Sequence, residues 1–312
     1  KDIKFSYLYK RINILSFILI FLSIIILSIK GLNLGVDFKG GTLIEIRTEN
    51  INTNIGEIRQ SLLKMDLGDV SVKKFGKEKD YLAKIEFTDI DDTNFIENIK
   101  EKLSSDLGTV VNFRRVENVG PKVSNELLNA GLLAISLSLA AMLFYIWIRF
   151  EWQFSLAAII AIIHDVIITI GIFSLLSYEV NLSIVAAVLT IVGYSMNDTV
   201  VIFDRIRENL RKYSKISITE ISDISINETL SRTLITSVTT LLALFSIYFL
   251  GGAILKGFSF AMIIGVIIGT FSSIFVATPI LYYTKVNQKT VLKELMQVDK
   301  PLNHFDKSVL QK

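Results

Sequence analysis

Charge is missing from long stretches of this chain, and that constrains its fold more than any average does. Residues 14–29 contain no Asp, Glu, Lys or Arg, nor does the run from Leu127 to Ile148, and between Val180 and Phe203 only Asp198 interrupts. A bilayer core about 30 Å thick is crossed by roughly 20 apolar residues of helix. Six segments come close to that: Ile12 to Ile29, Leu127 to Ile148, Phe154 to Leu176, Ser183 to Phe203, Leu234 to Leu250 and Phe258 to Tyr283. A content of 51% hydrophobic and 20% charged residues would by itself admit a soluble domain, but this segregation excludes an ordinary soluble enzyme. The sequence predicts a helical membrane protein with six transmembrane helices. The first run follows Lys10 and Arg11, exceeds the 7–15 apolar residues of a signal peptide and lacks an A-x-A site, so it reads as an uncleaved anchor.

Lys and Arg near the spans set the orientation, because basic loops stay in the cytoplasm. Residues 1–13, 149–153, 204–233 and 284–312 together hold 17 of them, whereas the opposite short loops, 178–182 and 251–257, hold only Lys256. The N-tail (1–11), the 204–233 segment and the C-tail (284–312) are therefore expected inside, and residues 30–126 outside. The 204–233 segment alternates charges and reads as an amphipathic helix on the membrane surface. A docking surface for a cytoplasmic partner is the sharper alternative.

The outer segment has a different period. Thr42 to Thr48, Val70 to Phe75, Tyr81 to Phe87 and Val110 to Val116 alternate apolar and polar as half-buried strands do. Asn54 to Met65 and Asp92 to Leu103 carry helical spacing. The order β-α-β-β-α-β predicts a ferredoxin-like α+β domain between the first and second transmembrane helices. Its basic residues Lys73, Lys74, Lys77 and Lys79 read as a solvated face.

Several chemistries have no carrier. The absence of Cys excludes disulfides, Cys-based zinc sites and thiol nucleophiles, and His164 and His304 lie too far apart to suggest a metal site. No phosphate-binding glycine loop, nucleophile elbow or HExxH occurs, and a net charge of +3 gives no argument for nucleic acid. What stands out is polarity inside the spans, where ionisable groups are costly and by default mark a pathway or a pair. His164 and Asp165 fall near the middle of the third span. Asn197, Asp198 and Thr199 lie in the inner part of the fourth, and Arg232 stands at the start of the fifth. One reading makes Asp198 a proton carrier whose affinity a moving Arg232 switches; the other makes them a static pair, or lets Arg232 reach the headgroups. For His164 and Asp165 a hydrogen bond across helices is the plainer reading. In the sixth span Gly265 and Gly269 permit close packing within the bundle, and Pro279 predicts a kink.

Five ordered motifs carry a resemblance: GVDFKGGT at 35–42, VGPKVSNEL at 119–127, RFEWQF at 149–154, GYSMNDTVVIFDRIREN at 193–209 and SRTLITSVTT at 231–240. With them the chain resembles the SecD/SecF family of bacterial protein-export membrane proteins, within the resistance-nodulation-division superfamily and on its SecF side. The resemblance implies a bacterial inner-membrane subunit that pairs with SecD, associates with the SecYEG channel and the exported chain among membrane lipids, and uses the proton gradient to promote export. It implies no cofactor other than the coupling proton and places Asp198 and Arg232 on the proton path, with Asp198 expected to face the seam with the SecD half. The same architecture also admits half of a small-molecule efflux transporter, or a structural subunit that stabilises SecD without carrying protons.

Overall fold

The computed structural model describes residues 3–50, 53–75, 79–86, 94–213 and 216–291. Lys77, Phe87, Asp92, His304 and the C-tail beyond residue 291 lie outside the described residues.

Each apolar run lies within a helical segment. The first four are α1 (Tyr9–Lys30), α5 (Pro121–Arg149), α6 (Trp152–Leu176) and α7 (Leu182–Lys212). The last two are α8 (Ile218–Leu250) and α9 (Ala253–Ser272), which continues through a π-helical turn (Ser273–Ala277) into α10 (Thr278–Tyr283). Among the described residues, six helices are long and apolar enough to cross a membrane. Local chemistry sets their ends. Pro121 opens α5 where its missing N–H has no intrahelical partner to lose. The Asn181 and Ser217 side chains accept from Ile184 N and Glu220 N at the starts of α7 and α8. α1 ends at Gly31, whose φ of 66° favours glycine. Pro279 cannot donate to the helical ladder, and the ladder widens for one turn just before it. The Thr278 hydroxyl donates to Ser273 O at 2.8 Å across that turn.

α6, α7 and α9 form the centre of the bundle, with α1, α5 and α8 around them. The 204–233 segment departs from expectation. It is no separate surface helix: α7 runs on to Lys212 and α8 begins at Ile218. The charge alternation reflects two helix ends packed together, with Arg205 pairing with Glu228 at 2.7 Å and Asn209 Nδ2 donating to Glu228 and to Ser225 Oγ.

Between α1 and α5 lie β1 (Asn33–Leu34), the one-turn α2 (Val36–Lys39), β2 (Gly41–Thr48), α3 (Ile55–Leu63), β3 (Val70–Lys74), β4 (Asp80–Ile85), α4 (Phe95–Leu107) and β5 (Val111–Val119). From β2 onward the elements run β-α-β-β-α-β, and the antiparallel sheet has the order β3-β4-β2-β5. The alternating apolar residues Ile44, Ile46, Tyr81, Ala83 and Ile85 are fully buried against Ile58, Leu62, Ile99 and Leu103 of the two helices. Lys73 and Lys74 are exposed on β3, an edge strand.

A feature with no sequence signal ties this unit to the bundle. β1 pairs in parallel with β6 (Glu179–Val180), in the turn between α6 and α7. Gly35 N donates to Val180 O at 2.8 Å, and the Asp37 carboxylate accepts from Leu182 N at 2.9 Å, adding an acidic group at the start of α7. A Cβ on Gly35 would come within 2.7 Å of the Glu179 carboxylate, which would have to move aside. Lys84, from the sheet, donates to Leu34 O at 2.9 Å, and burial lowers its pKa from the usual lysine value.

Candidate functional site

The polar side chains that the sequence singles out inside the spans do not form one cluster. They divide into a buried centre and an exposed face, and the division follows from close packing of α9 on α7. A Cβ on Gly265 would fall 2.3 Å from Ile191 Cγ1, and one on Gly269 would fall 2.9 Å from Ser195 Cβ. The G-x-x-x-G spacing therefore serves contact within this chain.

Asp198 is 2% exposed and lies inside the bundle. Thr270 of α9 donates to its Oδ2 at 3.4 Å, and Thr270 in turn shares a 2.7 Å hydrogen bond with Ser237 of α8. Three helices thus meet at this carboxylate. The expectation that Asp198 looks out onto a seam is corrected by the structure: the close α7–α9 approach covers it from within the same chain. Among the described residues no ion pair within 4.0 Å joins Asp198 to Arg232 of α8, and Arg232 is exposed. Asn197 is exposed as well, because successive helical residues point about 100° apart. Thr199 is buried, and its hydroxyl donates to Ser195 O of its own helix at 3.1 Å.

The second polar group is tighter. His164 and Asp165 are each 1% exposed. The Asp165 carboxylate meets His164 Nδ1 at 2.8 Å through Oδ1, while Oδ2 accepts from Ser195 of α7 at 2.5 Å and from Ser272 of α9 at 2.8 Å. The hydrogen bond across helices expected of this pair is made by Asp165, to two helices at once. His164 Nε2 is buried with no hydrogen-bond partner. Ser272, Thr270, Ser195 and Ser237 were not singled out from the sequence, although the last two lie inside quoted motifs.

At the opposite end of α7 from Leu182, two motifs interlock. Phe150 and Phe154 of RFEWQF pack edge-on against Phe203. Arg207, 7% exposed, lies 3.2 Å from the Glu151 carboxylate and donates to Arg149 O, and Arg149 pairs with Asp204 at 2.8 Å. Among the described residues no group of His, Asp and Glu has the arrangement of a metal site.

Comparison with known proteins assigns this architecture. The family model for the protein export membrane protein SecD/SecF, C-terminal, matches residues 99–287, and that for the SecD/SecF GG motif matches residues 25–50. The protein translocase subunit SecF of Rickettsia bellii (strain OSU 85-389) is 46% identical over 269 residues, covering 85% of this chain and 88% of the relative. That of Vibrio alginolyticus is 43% identical over 307 residues, covering 98% and 96%. The crystal structure of SecDF, a translocon-associated membrane protein from Thermus thermophilus, superposes with a TM-score of 0.82 at 33% identity, over 91% of this chain and 39% of that one. A SecDF structure in a super-membrane-facing form gives a TM-score of 0.68 at 32% identity, over 95% and 40%. The chain thus spans about two fifths of the SecDF chains and nearly the whole of the curated SecF relatives. It is a multi-pass membrane protein and belongs to the SecD/SecF family of protein-export membrane proteins, on its SecF side.

Proposed function

We propose that the chain is the SecF subunit of an accessory complex of the Sec translocase, pairing with SecD in the bacterial inner membrane and using the proton motive force to promote export through SecYEG. Both termini face the cytoplasm, as the count of basic residues supports. The unit between α1 and α5 is then extracytoplasmic, where it meets the exported chain. Its element and strand order support the ferredoxin-like assignment. It works with protons as the coupling ion and without another cofactor, as a transport subunit and not as an enzyme.

One observation carries this reading: Asp198 is buried within the apolar depth of the bundle at the meeting of α7, α8 and α9, with no ion pair to hold its charge. An ionisable side chain at that depth costs several kcal/mol, a cost that function explains better than packing does. Its bonding through Thr270 to Ser237 links any change in its charge to two neighbouring helices. The SecD half has a face to cover. Thr190, Asn197, Arg232 and Thr239 are exposed on α7 and α8, where lipid would leave them poorly solvated.

The test is export of a secreted reporter into inverted membrane vesicles that contain SecYEG and SecD, with wild type or Asp198→Asn and the gradient present or collapsed. The variant assembles but loses the gradient-dependent part of export. Unchanged gradient-dependent export would remove Asp198 from the proton path and leave it a packing residue.

A further inference from the structure

The most fully bonded carboxylate in the membrane part of this chain lies beside a ring nitrogen with no bond at all. We propose that His164 is a second protonatable station of the bundle, taking up and releasing a proton at Nε2 while Asp165 balances the charge. The inference rests on the proton-coupled reading above and adds to it a site separate from Asp198.

The atoms lead there one by one. Asp165 receives Ser195 and Ser272 at Oδ2 and faces His164 Nδ1 at Oδ1, all within 2.8 Å. With Asp165 ionised its oxygens only accept, so Ser195 and Ser272 donate to it and the ring hydrogen then stands on Nδ1. In the neutral ring Nε2 is then a bare lone pair. It is buried without a hydrogen-bond partner on a side chain 1% exposed. A buried polar atom of this kind calls for an explanation beyond packing, because a Leu or Phe would fill the space without the cost of desolvation. His164 lies near the midpoint of a 25-residue helix, about 18 Å from either end.

Protonation at Nε2 completes the site. The proton bonds to the Nε2 lone pair, Nδ1 keeps its hydrogen, and the imidazolium stands against the Asp165 carboxylate; release from Nε2 restores the starting state. Nothing else is consumed. The elements packed against α6 supply few other ionisable groups at this depth. α7 brings Tyr194 and Asp198, while the apolar runs of α1, α5 and α9 carry no charged residue. The counter-charge is therefore Asp165, and its two serine donors put α7 and α9 in contact with the proton held there. Ser195 lies one turn from Asp198 on α7, and Ser272 lies two residues from Thr270 on α9, so both carboxylates bond to α9 and lie on or against α7.

The sequence contains only two His, so His304→Gln leaves His164 as the sole imidazole. In that variant, reconstituted with SecD and labelled with ¹⁵N-histidine, Nδ1 is expected to stay protonated while Nε2 passes from bare to protonated as the pH is lowered. An Nε2 that stays bare throughout overturns the proposal. In parallel, His164→Asn keeps an amide donor for Asp165 but offers no nitrogen to protonate. Its gradient-dependent export should fall to the level seen without a gradient, with SecD still co-purifying. If Asp198→Asn loses that export and His164→Asn keeps it, the station is refuted and the coupling reading stands. If only His164→Asn loses it, the station stands and Asp198 leaves the path; if neither does, both fall. Should His164→Asn fail to assemble, the ring titration decides.

Discussion

At Gly265 a single methyl group would have to share space with Ile191, whose Cγ1 lies 2.3 Å from where a Cβ would stand. Gly265→Ala is therefore expected to push α9 off α7 at a cost of about 1–3 kcal/mol, seen as a lower melting temperature in detergent, with Ile191→Ala restoring part of it. The sequence made the two glycines legible as a spacing but not their target. The same holds for the polar residues of α7. Asn197 and Asp198 are neighbours in the chain, yet one is exposed and the other buried, because a helix turns about 100° per residue. The serines were harder to read. Most hydroxyls in these helices bond back to their own backbone, as Ser136, Thr190, Ser246 and Ser259 do. Ser195 and Ser272 reach across to Asp165 instead, and nothing in their local sequence distinguishes them.

Short elements carry more of the architecture than their length suggests. β1 and β6 have two residues each, too few for alternation to announce a strand, yet they join the sheet unit to the α6–α7 turn. Because the protein contains no Cys, Leu34→Cys with Val180→Cys tests this pairing on a clean background: these residues are register partners and should cross-link on mild oxidation, read on a non-reducing gel after cleavage between them. Asp37→Ala removes the acceptor of Leu182 N and should destabilise the start of α7 by about 1 kcal/mol, seen as faster amide exchange at that helix start. Lys84, which holds the Leu34 carbonyl, gives a pH signature. Its pKa is lowered in the folded state, first by burial, whereas the unfolded chain keeps the proton up to about 10.4. Between those values the unfolded state binds more protons, so stability rises with pH in that window, and Lys84→Gln should flatten the rise in a melting series. By contrast, the longer strands and both helices of the sheet unit were legible, since one face of each is exposed and the other buried.

For the molecule as a whole, the number and order of apolar runs were legible and their arrangement was not. Lipid is as apolar as a protein core, so the central α6 and the peripheral α1 carry equally apolar sequences, and period gives no inside. Polarity left on the outside is more informative. Gly193 lies on the same exposed side of α7 as Thr190 and Asn197, with open space where a Cβ would be. Gly193→Phe should therefore leave this chain folded and still abolish co-purification with SecD; retained co-purification would place the partner on another face. The pairing of β1 with β6 also bears on how the sheet unit between α1 and α5 can move. Two chain crossings, near residues 32 and 120, would by themselves let it swing like a door on a pair of hinges. The tie at residues 33–34 and 179–180 sits beside the first of these crossings and joins it to the α6–α7 turn. A tilt of the sheet unit about that first crossing must either unlatch the tie or carry the α6–α7 turn along with it.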